Sequence, residues 1–162
     1  MKEFKDEWCG IDKNIEGIVT ALNERGIRTS GSCEGHRDIN SPVPWVSISA
    51  GTDAEERGML AKENDALRSK IQALLDEFYR NRSSDEDVMI VITKGVASFW
   101  LHNGGELFKE WRKYVDEIVE NKKSGKPITL RHPQENVKNF ESLLQRLQKE
   151  FQDFAEFLKT KQ

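Results

Sequence analysis

The sequence predicts an α+β fold, with a mainly antiparallel four-stranded sheet packed by helices in the order α-β-β-α-β-β-α-α. Three observations predict it. Four stretches carry apolar residues at helical spacing. Four short runs have strand composition and arrive as two adjacent pairs. Each pair is followed by a helix, the arrangement of an antiparallel sheet with helices laid against it.

The first helix is marked by Ile15, Ile18, Val19 and Leu22, which fall on one face, with Asp12 expected as its N-cap. Gly26 suits the left-handed position that ends it. "IRTSGS" (27–32) then reads as a strand, which Gly31 weakens or in which it marks close backbone approach. After a loop containing Pro42 and Pro44, "WVSISA" (45–50) alternates Val46 and Ile48 with Trp45 and Ser47.

"TDAE" (52–55) has the form of a capping box, and the helix behind it is expected to run to about Arg80. Its stripe is Leu60, Leu67, Ile71, Leu74, Leu75 and Phe78. "VMIVIT" and "VASFWLH" form a second strand pair around Lys94 and Gly95. The first of these is apolar at successive positions, which predicts a central strand.

Asn103-Gly104-Gly105 leads into a third helix with Leu107, Phe108, Trp111, Tyr114, Val115 and Ile118 on its buried face. "NKKSGKP" ends it, and "ITL" is expected as a short edge strand. The last helix is expected from Pro133. Its residues Val137, Phe140, Leu144, Leu147, Phe151, Phe154 and Leu158 alternate spacings of three and four, an a/d seam. Residues 1–132 therefore read as the α+β unit and 133–162 as a C-terminal amphipathic helix packed on it. The seam suits a helical hairpin within the chain and, alternatively, a homodimer through the C-terminal helix.

The chain has 162 residues and a formal net charge of −3. A protein that grips nucleic acid by neutralising many phosphates is basic, so nucleic acid is not an expected partner. Lys122, Lys123, Lys126, Arg131 and His132 form a local cationic stretch, read as helix-end and turn cations. Two cysteines make no disulfide framework, and the N-terminus lacks an apolar leader. A cytoplasmic location with reduced thiols is expected, and no membrane span. No Gly-rich phosphate loop, Ser-His-Asp set or paired carboxylates stand out.

Chemistry concentrates in "SCEGH" (32–36) at the end of the first strand. Gly35 allows a tight turn, so Cys33 and His36 can converge on one small volume. Sulfur and nitrogen donors suit zinc, the cofactor this spacing suggests. Candidates for the remaining ligands are Cys9, His102, His132, Glu34 and Asp38.

Three other readings stand beside the metal. Cys33 can be a small buried apolar group and His36 a loop residue. The pair can be a nucleophile and its base, with Arg28 or Arg37 lowering the thiol pKa. Backbone N–H groups of Ser32–Gly35 can form an anion nest, with Ser30, Ser32, His36, Arg37 and a stacking wall at Trp45 around a small ligand. The candidate ligand-binding set is therefore Ser32, Cys33, Glu34, Gly35, His36 and Trp45, and the candidate metal set Cys33, His36, Cys9 and His102. A small binding or interaction protein, engaging a small molecule or a protein partner, is the expected class. A Cys/His-dependent or zinc-dependent enzyme, acting on nucleotide or RNA, is the alternative.

Asp12, Leu22, Asn23, Gly26, Thr29, Ser32, Cys33, Gly35 and His36, followed by the Pro/aromatic strand, carry a resemblance. Residues 10–48 resemble an N-terminal pattern of small uncharacterised bacterial and phage proteins: an Asp-started helix, then "LN..G..T..SC.GH". The resemblance implies a phage or prophage setting and no particular reaction. The strand–Ser-Cys-x-Gly–strand layout is also faintly similar to the Ser-Cys-Ser-Gly segment of the wybutosine-synthesis methyltransferases, which modify tRNA with S-adenosylmethionine. His36 stands where that family has Arg, so no catalytic residue carries over.

Overall fold

A computed structural model of the chain describes residues 11–36, 41–49, 61–95, 98–127 and 133–161. The elements are α1 (Glu16–Glu24), β1 (Thr29–Cys33), β2 (Trp45–Ile48), α2 (Ala61–Arg80), β3 (Val91–Lys94), β4 (Phe99–His102), α3 (Glu106–Ser124), a 3-10 turn (Pro133–Asn136) and α4 (Phe140–Thr160). The fold is α+β in the predicted order, with every described strand pair antiparallel. The sheet order is β1-β2-β4-β3, so the two hairpin-like pairs join through β2 and β4.

Sheet pleat sorts the side chains. Val46, Ile48, Phe99 and Leu101 are fully buried in the main core with Ile18, Leu22, Ile71, Leu75, Phe151 and Phe154 from α1, α2 and α4. Trp45 and Trp100 lie on the opposite face, stacked with ring centres 5.1 Å apart. There α3 brings Phe108 against His102 and Trp100. A second core at the end of the sheet joins Val43, Val88, Leu107, Phe108, Phe140 and Leu147.

The α1 terminus follows the sequence signal closely. Gly26 has φ +79°, and Ile27 and Gly26 donate back to the carbonyls of Leu22 and Asn23, a Schellman ending. The other end differs from expectation. The helix starts at Glu16, and Asp12 caps it with neither its side chain nor its position. The Asp12 carbonyl instead accepts from Ile15 N–H in a turn ahead of the helix, which frees the carboxylate to face β1.

Two more expectations are corrected. β3 is an edge strand, and Val91 is 46 % exposed. The apolar run that suggested a central strand is buried earlier, at Val88 and Ile90 on the approach to β3. The last helix begins at Phe140 rather than Pro133, because residues 133–136 form a 3-10 turn and Asn139 is left-handed at φ +58°.

The a/d seam of α4 packs within the chain. Phe151 and Phe154 are completely buried in the main core, and Phe154 lies 5.2 Å from Phe78 of α2. Phe140, Leu147 and Leu158 of the seam are buried as well, and Val137 and Leu144 are half-buried. The buried face of α3 is narrower than predicted: Leu107 and Phe108 are buried, Trp111, Tyr114, Val115 and Ile118 half-buried, and Val119 exposed. The capping box, Leu60 and "ITL" lie outside the described residues. Among the described residues, no helix is long and apolar enough to cross a membrane.

Candidate metal centre

β1 ends at Cys33 because Gly35 turns the chain with φ +89°. Any side chain at 35 would collide with Leu144 of α4, where an ideal Cβ lies 2.5 Å from Cδ1. Glycine thus serves two purposes here: the positive φ, and the close approach of the loop to the helix. Gln148, also on α4 and 8 % exposed, donates to the Glu34 carbonyl at 2.9 Å. The back of the loop is held by a helix that the main core fixes in place.

The front of the loop faces the turn before α1, and the two segments exchange hydrogen bonds. Glu34 N–H donates to Asp12 Oδ2 at 3.1 Å. Asn14 N–H donates to Glu34 Oε1 at 3.0 Å. His36 Nε2 also lies 3.1 Å from Asp12 Oδ2, and His36 N–H donates to the Ser41 carbonyl at 2.8 Å. As a result Asp12, Cys33 and His36 each present one ligand atom within 4.8 Å of the other two. In a tetrahedral zinc shell such donors stand roughly 3.5 Å apart, from metal–ligand bonds of about 2.0–2.3 Å. Closing the shell takes side-chain movements of about an ångström.

Burial is graded across the cluster. Cys33 is 6 % exposed, whereas the side chains of Asp12 and His36 are 29 % and 35 % exposed. Burial pushes the Cys33 thiol up to about 11; the Gly35 N–H lowers it a little, and the charges of Asp12 and Glu34 raise it further. Without a cation this burial favours the neutral thiol over the thiolate that a nucleophile needs. His36 Nε2 moreover pairs with Asp12.

The anion nest is also closed. Glu34 N–H is taken by the Asp12 carboxylate and Gly35 N–H by Cys33 Sγ at 3.4 Å. The chain's own acceptors occupy the positions an anion would need.

The structure brings Cys33 and His36 together and leaves His102 apart. Cys33, Trp45 and His102 are in register on three successive strands, so β2 stands between the cysteine and His102. Two strand spacings are about 10 Å. His102 is 4 % exposed, lies 2.6 Å from Thr93 Oγ1 and stacks on Phe108 at 3.6 Å. Burial drives its pKa down to about 4. It is a neutral packing residue.

Glu34 adds its backbone and carboxylate to the scaffold, Ser32 pairs with Val46 in the sheet, and Trp45 lies over Gly31. Ser30 hydroxyl is spent on Ser47. Cys9, Arg37, Asp38, Arg131 and His132 lie outside the described residues.

Asp12 is the donor that spacing alone did not supply. It looks like a helix cap in the sequence, and only β1 returning beside the turn before α1 makes it a neighbour of Cys33. No protein-family model matches the chain, and neither a curated protein nor a solved structure is significantly similar to it.

Proposed function

We propose that this chain is a metal-binding protein whose centre is Asp12, Cys33 and His36, with zinc as the preferred ion. The convergence of one carboxylate, one thiol and one imidazole within 4.8 Å carries the reading. Mixed sulfur, nitrogen and oxygen donors favour zinc over calcium or magnesium, which take oxygen alone. A bound cation would stabilise the Cys33 thiolate that burial otherwise disfavours.

The support around the donors fits the same reading. Asp12 is oriented by Glu34 N–H, the loop is pinned by Gln148, and Gly35 is seated on Leu144. Such surrounding contacts hold ligands in place and raise affinity. All three donors are also positions of the "D…SC.GH" pattern read in the sequence. We read that pattern as a ligand set.

Metal content of the purified, untagged protein tests the proposal. One zinc per chain is expected in the wild type, and none in a Cys33→Ala/His36→Ala variant that keeps its circular dichroism. A wild type prepared without chelator that contains no metal and takes up none from added zinc would overturn it. Retained stoichiometric zinc in the double variant would move the site elsewhere.

A further inference from the structure

We infer that α3 is the interface for a second copy of this chain, paired antiparallel along the helix face that carries Val115 and Val119. The observations behind it are separate from the metal centre.

The two faces of the sheet are covered unequally. On one face, α1, α2 and α4 all contribute to the main core, and among the described residues α3 contributes none to it. On the other face lies α3, where Phe108 stacks on His102 and meets Trp100 edge-on. Among the described residues, the large apolar side chains left exposed are Val91 and Val119, each at 46 %. Both belong to this second layer. Val119 is on α3, and Val91 is in register with His102, which puts it on the α3 side of the sheet. Past Phe108 the apolar face of α3 is only half-buried, at Trp111, Val115 and Ile118. A helix with such a face is stabilised by a neighbour laid against it.

Charge indicates which neighbour, and in which direction. The charges of α3 come in blocks: Glu106 and Glu110, then Arg112 and Lys113, then Asp116, Glu117 and Glu120, then Lys122 and Lys123. Lys109 pairs with Glu106 within the helix. A second α3 running antiparallel and crossing near Val115 brings the first block to the last and the second to the third, so each meets opposite charge. A parallel copy in register sets like charge on like, the arrangement that flanking charges select against. Among the described residues, Arg112, Lys113, Asp116 and Glu120 form no ion pair within the chain. Arg112 and Asp116 also share a helix face with Val115 and Val119, at spacings of three and four. The Arg112 guanidinium is held beside two rings, 5.4 Å from the centre of Trp100 and 5.9 Å from that of Trp111. It therefore has little side-chain freedom left to lose on pairing.

Sedimentation equilibrium of the full chain over a concentration series is the test. A reversible monomer–dimer equilibrium in the micromolar range is expected, because a few turns of one helix bury less than the roughly 1,200–2,000 Å² of a stable interface. Val119→Glu should weaken it about tenfold or more, by bringing an unpaired charge against apolar surface. Arg112→Glu/Lys113→Glu and Asp116→Lys/Glu120→Lys should each be monomeric where the wild type is dimeric, and an equimolar mixture of the two should dimerise again. All five positions are exposed, and far-ultraviolet circular dichroism checks that each variant keeps its fold. A wild type that stays monomeric to millimolar concentration would overturn the inference. A dimer untouched by Val119→Glu and by both charge variants would lie on another surface and overturn it equally. Charge variants that do not restore one another on mixing would overturn the antiparallel pairing.

Discussion

Gln148 and Glu150 sit two residues apart on α4 and serve two polar clusters of opposite character. Glu150 is 3 % exposed and saturated. It accepts from Tyr79 hydroxyl at 2.7 Å, Ser84 hydroxyl at 2.8 Å and Arg82 Nη2 at 2.7 Å. Arg82 also reaches Asp153 at 2.7 Å, and Tyr79 accepts from Ile90 N–H. Every strong group has a partner of opposite charge or role. Gln148 instead supports a cluster with two acids, a thiol and an imidazole, and among the described residues no Lys or Arg side chain hydrogen-bonds to it. The first cluster is complete as it stands and fastens α2 and the following loop to α4. The second holds donors in excess, the imbalance that a cation corrects.

The comparison breaks most readily at Glu150. Glu150→Ala leaves Arg82 with Asp153 alone and the Tyr79 and Ser84 hydroxyls without their acceptor. A loss of about 3 kcal/mol is expected in urea unfolding, from two hydroxyls without an acceptor and one half-buried ion pair broken. The folded fraction should still bind metal. A loss under about 1 kcal/mol would class the cluster with ordinary surface pairs and remove the contrast.

His102 sharpens the comparison next, because sequence reading placed it in the open cluster and the structure places it in packing. Its folded pKa of about 4 lies below its ordinary 6.5. Between those values the unfolded chain binds the extra proton, so stability is full above pH 6.5 and falls as the pH drops towards 4. The shift corresponds to roughly 3 kcal/mol. Urea midpoints at pH 7 and pH 4.5 measure it, and His102→Gln should remove about that much of the acid loss. Metal content of the variant should match the wild type. Zinc lost from His102→Gln would return this residue to the ligand set.

Metal addition is the direct test of the open cluster. Zinc at about a hundred times its dissociation constant should stabilise the wild type by roughly 2.7 kcal/mol. Cys33→Ser should abolish that increment, and its metal-free stability should fall by about 1–2 kcal/mol from burying a hydroxyl where the thiol was. Equal zinc stabilisation of both proteins would mean that the ion binds without the sulfur.

How much of this was legible in the sequence depends on the range of the interaction that fixes each feature. Helix periodicity, the Gly26 ending and the hairpin at Gly95 are local, and they read correctly. The α4 seam read correctly as apolar, but its partner did not follow from spacing. It packs on α1 and α2 together, with Phe151, Phe154 and Leu158 buried in the core they share. β3 misled because Val88 and Ile90 are buried on the approach to the strand, Val88 in the second core and Ile90 in the main core, which spacing along the chain does not show. The site divides in the same way. Cys33, Gly35 and His36 are one local turn and could be read as such. Asp12 enters through β1 packing beside the turn before α1, and His102 leaves through the β1-β2-β4 order.

The smallest expected effect joins the two halves of the argument at Gly35. Gly35→Ala must hold φ near +89° with a Cβ and push against Leu144. Together these should cost about 1–3 kcal/mol. Leu144→Ala removes the obstructing methyl groups but neither the strained dihedral nor the close backbone of Pro42 and Val43. In a double-mutant cycle the two substitutions should therefore couple by about 1 kcal/mol, with the strain of the positive φ left over. Zinc affinity should fall in Gly35→Ala and recover in part in the double variant, because the loop regains its seat on α4. Full stability with weakened zinc would show that the loop swings out freely and that α4 positions the donors without holding the fold. Lost stability with unchanged zinc affinity would show the reverse: donors that find one another whatever the helix does. Coupled loss and coupled recovery is the outcome that makes Gly35 the hinge between the closed core and the open site.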